Sequence, residues 1–394
     1  MNRIKVSKLD GKVKVPSSKS LSHRALICAA LAQGTSTIEN LNFCDDTLAT
    51  IEGLKQLGAK IEIKDDLVYV KGLKEISNAT IDCCQSGSTI RFLMPIGLMT
   101  SKNVLFTGDE SLLSRPMTVY TDLFKKQISF ENPYFKVSGR IKNDYFEIPG
   151  NISSQFISGL LFVLPLLNYN SKIIIKGMFE SESYVDLTID MLSEFGINVV
   201  KNKNELFIEG NQVYKNTNVK IEADCSAMAF YAVANKIGNN INIENKLVIS
   251  LQSDFKIFEI LDKEIDRIDV SDCPDLVPIL AVWASLRNGK TTYIENALRL
   301  RLKESDRLES ISSNLTKLGA SIEVFEDKLV ITGREYLKGN IKVSSFKDHR
   351  IAMSMAIVAS KIEGWIELDD LNVVNKSYTS FWEDFKMLGG SIDE

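Results

Sequence analysis

The chain has 394 residues, of which 25% are charged and 44% are hydrophobic, and its formal net charge is −4. This length predicts roughly two to three domains, and the acidic balance argues against a general nucleic-acid-binding surface. The histidines, His23 and His349, and the scattered cysteines show no metal-ligand spacing, and no run of about 18 apolar residues predicts a membrane span. The start MNRIKVSKLDG carries no apolar signal region, so we expect a reducing, cytoplasmic setting.

One pattern recurs along the chain: a polar start, an apolar run of helical length, a break at Gly, Asn or Lys, and a short β-branched strand. Six copies begin at Lys19, Ser86, Ser153, Asp224, Pro274 and Asp348. Their helices are apolar nearly all round, which is expected of helices in the interior of a protein. Copies of this kind predict an internally repeated fold.

A second pattern alternates with the first. LGAKIEIKDDLVYVKG from Leu57, FGINVVKNKNELFIEG from Phe195 and LGASIEVFEDKLVITG from Leu318 each predict a helix that ends at a glycine and is followed by two strands joined by a tight turn. A shortened copy, LGGSIDE, closes the chain, and the segment from Lys125 to Lys136 lacks the Leu-Gly-Ala signature. Together the patterns predict an α/β (α+β) fold of repeated units, each approximately β-α-β-α-β-β.

The stretch LRLRLKESDRLE, residues 298–309, changes character midway. Its alternating Leu and Arg predict a half-buried strand. Asp306, followed three places later by Glu309, predicts a capping box and a helix from about Arg307 to Leu318. Unpaired backbone N–H groups and the positive end of the helix dipole would favour an anion here. On its own, the spacing is also explained by a capped helix start with a solvent-exposed salt bridge.

The polar residues of the apolar copies lie at the N-terminal ends of the helices. They are Lys19, Ser20 and Arg24; Ser86, Ser88 and Arg91; Ser153, Ser154 and Gln155; Asp275; and Asp348 and Arg350. Several helix N-termini facing one cleft would bind phosphate and carboxylate groups. Ordinary N-capping explains any single Ser or Asp, but it does not explain the Lys and Arg beside several of them.

Nine motifs, in order along essentially the whole chain, resemble those of the 5-enolpyruvylshikimate-3-phosphate synthase family. They are PSSKSLSHRA (16–25), SGSTIR (86–91), GDESLLSRPM (108–117), SSQF (153–156), SYVDLT (183–188), CPDLVP (273–278), RLKESDR (301–307), DHRIAM (348–353) and VNKSYTSFW (374–382). The resemblance implies a two-domain enolpyruvyl transferase fold with three repeated units per domain and buried helices aimed at the interdomain cleft. Residues 1–13 with 224–394 would form the phosphoenolpyruvate side, and residues 14–223 the shikimate 3-phosphate side.

The resemblance also implies a reaction. The enolpyruvyl group of phosphoenolpyruvate is transferred to the 5-hydroxyl of shikimate 3-phosphate, and phosphate leaves after a tetrahedral intermediate, with no metal or cofactor. The implied partners are these two small molecules and glyphosate, an inhibitor of the donor site, whose binding the retained Gly87 favours. We expect neither nucleic acid nor a membrane as a partner. We expect the protein to be a monomer in the cytoplasm.

Individual residues take roles from the same resemblance. The implied catalytic residues are Lys19, Asp275 and Glu304, with Asp275 near the 5-hydroxyl and Glu304 near the methylene carbon of the donor. The implied shikimate 3-phosphate ligands are Lys19, Ser20, Arg24, Ser153, Ser154, Gln155, Ser181, Asp275 and Lys303. The implied phosphoenolpyruvate ligands are Lys19, Gly87, Arg115, Gln155, Arg307, Arg350 and Lys376. Guanidinium forks suit bidentate binding of carboxylate and phosphate, and lysines act as point charges.

Two positions depart from the family pattern, and two other functions remain open. Gln85 stands where Asn is usual, and Arg299 stands where some members have Asn. The first alternative is a UDP-N-acetylglucosamine enolpyruvyl transferase. Such an enzyme typically has Lys-Asn where this chain has Lys19-Ser20, and it has a cysteine in a loop near the donor. The corresponding loop here, Gly108 to Met117, contains no cysteine. A non-catalytic protein that captures anionic metabolites would have no use for two buried carboxylates that repel its ligands.

Overall fold

Apolar runs of helical length alternate along the chain with short β-branched runs, and a computed structural model, which describes residues 2–393, gives the resulting elements. The helices are α1 (Lys19–Leu31), α2 (Asp45–Leu57), α3 (Gly87–Gly97), α4 (Glu110–Leu113), α5 (Thr118–Leu123), α6 (Ser154–Val163), α7 (Glu182–Glu194), α8 (Cys225–Lys236), α9 (Ile257–Lys263), α10 (Val277–Ser285), α11 (Arg307–Lys317), α12 (His349–Val358) and α13 (Phe381–Met387). Short 3-10 helices span Leu164–Leu166, Ser253–Lys256, Pro274–Leu276, Leu298–Leu302, Ala359–Lys361 and Asn372–Lys376.

The strands are short, between three and six residues each. They are β1 (Asn2–Lys5), β2 (Asp10–Val13), β3 (Thr35–Glu39), β4 (Lys60–Lys64), β5 (Leu67–Lys71), β6 (Ala79–Asp82), β7 (Asn103–Thr107), β8 (Ile128–Glu131), β9 (Tyr134–Ser138), β10 (Tyr145–Pro149), β11 (Ser171–Lys176), β12 (Val199–Asn202), β13 (Glu205–Ile208), β14 (Asn218–Lys220), β15 (Asn240–Ile243), β16 (Arg267–Asp269), β17 (Thr291–Glu295), β18 (Ser321–Val324), β19 (Leu329–Thr332), β20 (Ile341–Val343), β21 (Ile366–Leu368) and β22 (Ser391–Asp393).

The described residues divide into two units. The central unit is Ser17–Glu222, and the split unit combines the segment through Pro16 with the segment from Ala223 onward. The sequence predicted the two crossings after Val13 and after Ala223. Within residues 2–393 no helix combines the length and the apolar character needed to cross a membrane.

One sheet pattern is used repeatedly in both units. In each four-stranded sheet the first two strands are parallel, and the third and fourth are each antiparallel to the strand before. The central unit has β14-β3-β5-β4, β6-β7-β9-β8 and β10-β11-β13-β12 in this pattern, and the split unit has β16-β17-β19-β18, β20-β21-β1-β22 and the two-stranded parallel pair β15-β2. The predicted repeated α/β fold is therefore confirmed. The hairpin of β8 and β9 forms although its sequence lacks the glycine signature, because Ile128, Phe135 and Val137 alternate toward the core.

Each unit is built around its own apolar core. Every residue of α10 and of α12 is buried, as predicted for helices that are apolar nearly all round. The outer helix α11 instead buries one face through Leu308, Ile311 and Leu315, at the spacing of successive helical turns. Beyond the first turn, the only polar side chain of α12 is Ser354, and Ser285 ends α10; each hydroxyl donates to the carbonyl four residues earlier. The charged side chains of α12 lie in its first turn, where backbone N–H groups need partners.

The predicted strand at residues 298–302 is wrong, because Leu298–Leu302 forms a 3-10 helix. A strand would bury all three leucines of the alternating run on one face. Only Leu300 is buried, while Leu298 and Leu302 are 48% and 52% exposed.

The predicted helix start is confirmed: the Asp306 carboxylate accepts a hydrogen bond from the Glu309 N–H at 3.2 Å, and α11 begins at Arg307.

The close packing of α3 on α6 gives a stability prediction. A Cβ atom on Gly159 would lie 2.2 Å from the Tyr120 hydroxyl and 2.4 Å from the Arg91 carbonyl oxygen, which accepts a hydrogen bond from that hydroxyl. We expect Gly159→Ala to lower the free energy of unfolding by about 1–3 kcal/mol in urea titrations. Ser193→Ala, on the exposed face of α7, is the matched control and should change it by less than about 0.5 kcal/mol. Equal stability of the two variants would contradict the close approach.

Candidate active site

Short polar side chains cap the N-termini of α1, α3, α6, α8 and α12. In the central unit, Ser18, Ser86 and Ser153 accept hydrogen bonds from first-turn N–H groups of α1, α3 and α6 at 3.4, 3.1 and 3.3 Å. In the split unit, Asp224 and Asp348 cap α8 and α12, each at 2.9 Å. The caps leave the remaining N–H groups and the positive dipole ends beside the predicted Lys, Arg and Gln side chains, which favours anionic ligands.

Lys19 is held at the start of α1 by a carboxylate that the sequence interpretation did not single out. Its Nζ lies 3.0 Å from Oδ2 of Asp46, and both side chains are largely buried. The backbone carbonyl of Asp46 also accepts a hydrogen bond from the Thr89 hydroxyl at 3.2 Å. Asp46 therefore joins the beginnings of α1, α2 and α3 and fixes where the Lys19 ammonium points.

Gln155, at the start of α6, is oriented from both ends of its amide. Its Oε1 accepts a hydrogen bond from Nη1 of Arg91 at 2.7 Å, and its Nε2 donates to the Ser88 hydroxyl at 2.9 Å. Arg91 and Ser88 are both in the first turns of α3. The sequence interpretation noted these two residues only as polar helix ends, and the contacts now give them the role of positioning Gln155.

Gly87, the first residue of α3, lies between two guanidinium groups. A Cβ atom added there would lie 3.1 Å from Nη1 of Arg91 and 3.2 Å from Nη1 of Arg115. Two cations and a helix N-terminus therefore flank a backbone that has no side chain in the way. Gln85, two residues before Gly87, is exposed.

The other predicted ligands of the central unit lie near the starts of α1, α6 and α7. The Arg24 guanidinium donates to the Thr188 hydroxyl at 2.9 Å and to the backbone carbonyls of Ser20 and Tyr184 at 2.8 Å each. Burial lowers the pKa of Arg24 to about 10.

Ser181 immediately precedes α7, is buried, and has a left-handed backbone with φ 53°. Ser153 and Ser154 start α6, Ser154 being buried, and a hydrogen bond from the Glu180 N–H to the Gly150 carbonyl at 3.2 Å connects the loops before Ser181 and Ser153.

The split unit gathers three carboxylates on one cation, Arg307, whose side chain is 1% exposed. Its Nε lies 2.8 Å from Asp348, its Nη1 2.6 Å from Asp275, and its Nη2 2.8 Å from Glu304. Burial opposes the charge of Arg307, but Asp348, Glu304 and Asp275 outweigh it and raise the pKa of Arg307. We call Arg307 with these three carboxylates the carboxylate hub. It brings both predicted catalytic carboxylates of this unit to one point.

Asp275 has two further cations beside it. Its Oδ2 lies 3.0 Å from Nη2 of Arg350, and its Oδ1 lies 3.8 Å from Nζ of Lys303. Burial alone would raise the pKa of Asp275, but Arg350, Lys303 and Arg307 hold it well below its usual range. Asp275 is thus a weak base as it stands, and it becomes a stronger one when an anionic ligand takes up the positive charge of its neighbours. Burial lowers the pKa of Lys303 to about 8.

Arg350, Lys376 and Arg299 are also buried. Arg350, in the first turn of α12, is 7% exposed, and Lys376, 4% exposed, ends a 3-10 helix that packs against α12. Arg299 is 6% exposed and donates to the Ser271 carbonyl, so it does not point toward solvent. Its positive charge also lowers the pKa of Lys303, although less than burial and less than Arg307 do.

The carboxylate hub gives a prediction for the unfolding free energy. We expect Arg307→Met to lower it by about 3–5 kcal/mol at neutral pH, because buried carboxylates lose their shared cation. The loss should shrink as the pH is lowered, since those carboxylates can then take up protons. Arg301→Met is the comparison. Arg301 pairs with Asp306 at 2.7 Å and Glu309 at 3.2 Å and donates to the Phe325 and Glu326 carbonyls, but it is 25% exposed, so water can replace it and we expect a smaller loss of about 1–2 kcal/mol. A loss at Arg307 as small as that at Arg301 would contradict the hub.

Comparisons with known proteins identify the family of this chain. The family model described as EPSP synthase (3-phosphoshikimate 1-carboxyvinyltransferase) matches residues 4–265 and 257–385. The chain is 45% identical to the 3-phosphoshikimate 1-carboxyvinyltransferase of Clostridium kluyveri, over 99% of this chain and 98% of that protein. It is 46% identical to the one from Clostridioides difficile, over 100% and 98%. A solved structure of EPSP synthase from Acinetobacter baumannii shares the fold, with a TM-score of 0.82 at 23% identity and full coverage of both chains. This chain therefore belongs to the EPSP synthase family.

Proposed function

We propose that this protein transfers the enolpyruvyl group of phosphoenolpyruvate to the 5-hydroxyl of shikimate 3-phosphate and releases phosphate. The observation that carries the proposal is the carboxylate hub with its flanking cations, Lys303 and Arg350. Addition of a hydroxyl to an enol ester and the following elimination require proton transfer at carbon and at oxygen, with cations to hold phosphate and carboxylate. Family membership, shown by similarity over the whole chain, supports the same reaction.

The two catalytic carboxylates have different surroundings, which suits different tasks. Asp275, held among Arg307, Arg350 and Lys303, accepts the proton of the 5-hydroxyl once the anionic donor draws on the same cations. Glu304 contacts Nη2 of Arg307 through Oε2. In the addition, protonated Glu304 delivers a proton to the methylene carbon of the donor; in the elimination, its carboxylate takes a proton back from the resulting methyl group as phosphate leaves. Lys19, paired with Asp46, supplies a charge to both substrates.

Binding of the two substrates divides by chemistry. We propose Arg115, Arg307, Arg350, Lys376 and Lys19, with the open backbone at Gly87 and the amide of Gln155, as the phosphoenolpyruvate ligands. We propose Lys19, Ser20, Arg24, Ser153, Ser154, Gln155, Ser181, Asp275 and Lys303 as the shikimate 3-phosphate ligands. Hydroxyl groups and helix N–H groups suit a phosphate, and guanidinium forks suit a carboxylate. Glyphosate is also anionic and would compete with phosphoenolpyruvate for the donor ligands. We expect the protein to be a monomer in the cytoplasm.

Phosphate release from the purified protein tests the function. With phosphoenolpyruvate as donor, release should depend on shikimate 3-phosphate and should be absent with UDP-N-acetylglucosamine, the acceptor of the related transferase. Mass spectrometry of the product should show the mass of shikimate 3-phosphate plus an enolpyruvyl group. Release with UDP-N-acetylglucosamine alone would overturn the proposal, and binding of both substrates without phosphate release would favour a non-catalytic protein.

The role of Glu304 is testable against a neighbour on the same segment. Glu304→Ala should lower kcat by about 10²-fold or more, because a proton-transfer group is lost. Glu309→Ala removes an exposed carboxylate in the first turn of α11, and its kcat should stay within about twofold of the parent. Steady-state phosphate release measures both variants. Near-normal turnover of Glu304→Ala would remove Glu304 from the mechanism.

A further inference from the structure

Arg299 departs from the family pattern and is not among the proposed substrate ligands. It lies in the 3-10 helix Leu298–Leu302, which ends two residues before Glu304. The residue is 6% exposed, and its guanidinium donates through Nη2 to the backbone carbonyl of Ser271. Ser271 lies four residues before Asp275. This hydrogen bond therefore joins the two segments that carry the predicted catalytic carboxylates of the split unit.

The two segments follow neighbouring parallel strands of one sheet. β16 pairs with β17 over three residues, ending at Asp269 and Glu295. A backbone hydrogen bond from the Val270 N–H to the Glu295 carbonyl, at 3.0 Å, extends this pairing. The first chain then forms the 3-10 helix Pro274–Leu276 and the second forms Leu298–Leu302. Where these helices begin, the ladder of the sheet no longer sets the spacing of the two chains.

Side-chain contacts connect the two chains beyond the ladder. Nζ of Lys303 lies 3.8 Å and Nη1 of Arg307 lies 2.6 Å from Oδ1 of Asp275. Both of these cations are proposed to bind substrate. The Arg299 contact is different, because it holds the main chain at Ser271 and not a reacting side chain.

The contact of Arg299 completes the bonding of the Ser271 main chain. The Ser271 N–H donates to the Asp269 carboxylate at 2.8 Å, and the Ser271 carbonyl accepts from Arg299. A hydrogen bond from an ionised donor is roughly twice as strong as one between neutral groups. The loop between Asp269 and Asp275 is thus fixed near its midpoint, ahead of the carboxylate hub.

We propose that Arg299 is a positioning residue: by holding the Ser271 carbonyl, it sets the distance between the loop that carries Asp275 and the segment that carries Glu304. The catalytic consequence rests on the proposed function. Arg299 acts through the main chain and does not touch the reacting atoms. A catalytic group displaced by about 1 Å can lower a rate by about 10²-fold, so even a modest loosening of this loop should lower kcat.

Hydrogen exchange measured by mass spectrometry tests the attachment of the loop. In Arg299→Met the amides of residues 270–276 should exchange about tenfold faster or more, because the loop is no longer held. Arg267→Met is the matched control. Arg267 pairs with Glu295 at 2.7 Å across the same two strands, but its side chain is 63% exposed, so the exchange of residues 270–276 should not change. Arg299→Gln has too short a side chain to reach Ser271. It should behave as Arg299→Met does, and it serves if that variant does not fold.

Steady-state phosphate release tests the catalytic consequence. Arg299→Met and Arg299→Gln should lower kcat by about tenfold or more, while KM for each substrate stays within about threefold of the parent. Arg299→Lys keeps the charge and a donor, and its kcat should be at least about threefold higher than that of Arg299→Met. Arg267→Met should stay within about twofold of the parent.

The two measurements separate this inference from the proposed function. Unchanged exchange of residues 270–276 in the folded Arg299 variants would overturn the inference, even with a lower kcat, since Arg299 would then act by its charge alone. Faster exchange with a normal kcat would also overturn it. Faster exchange in the variants of a protein that releases no phosphate would keep the attachment by Arg299 and reject the proposed function.

Discussion

The carboxylate hub is the interaction on which the arrangement of the split unit depends. A guanidinium buried to 1% exposure would be unfavourable by itself, and so would each carboxylate around it. They are stable together because Arg307 offers separate N–H edges to Asp348, Asp275 and Glu304, and each contact is short. The hub therefore fixes the starts of α10, α11 and α12 against one another, since one residue at each start takes part in it.

The repeated sheet pattern explains why such charges can be accommodated. Each interior helix is apolar along most of its length, and the buried hydroxyl groups beyond the first turn bond to the helix backbone. Ser354 of α12 donates to the Arg350 carbonyl at 2.7 Å, and Ser285 of α10 donates to the Ala281 carbonyl at 2.8 Å. The first turn is different, because its N–H groups are unsatisfied by the helix and its dipole attracts anions. Both units place charged or amide side chains at or just before this position: Lys19 and Gln155 in the central unit, and Asp275 and Arg350 in the split unit.

Local patterns were sufficient to predict much of the fold. The capping box at Asp306 placed α11 correctly, and the Leu-Gly signatures predicted the hairpins, because caps and turns depend on a few neighbouring residues. The alternating Leu and Arg residues from Leu298 gave a wrong prediction of a strand, because the same spacing of leucines can arise in a 3-10 helix whose ends are exposed. The chemistry of a local segment does not reveal which of two periodicities its tertiary contacts will select.

The contacts that define the candidate site depend on distant parts of the chain. The family motifs in the sequence indicated Asp275, Glu304 and Arg307 as site residues. That Asp275, Glu304 and Asp348 all contact the Arg307 guanidinium follows from tertiary packing and could not be predicted from the motifs. No spacing in the sequence pointed to Asp46 beside Lys19, since the two residues lie on different helices. A pair of acidic residues at the start of α2 was the only available signal for Asp46.

Carbon-13 NMR of labelled aspartate carboxyl groups would test the hub most directly, with Asp275→Asn used to assign the Asp275 signal. Cations that surround a buried carboxylate should keep it ionised far into the acid range, so the Asp275 signal should not shift between about pH 7 and pH 4. A titration of that signal with a midpoint near pH 4 or above would contradict the account.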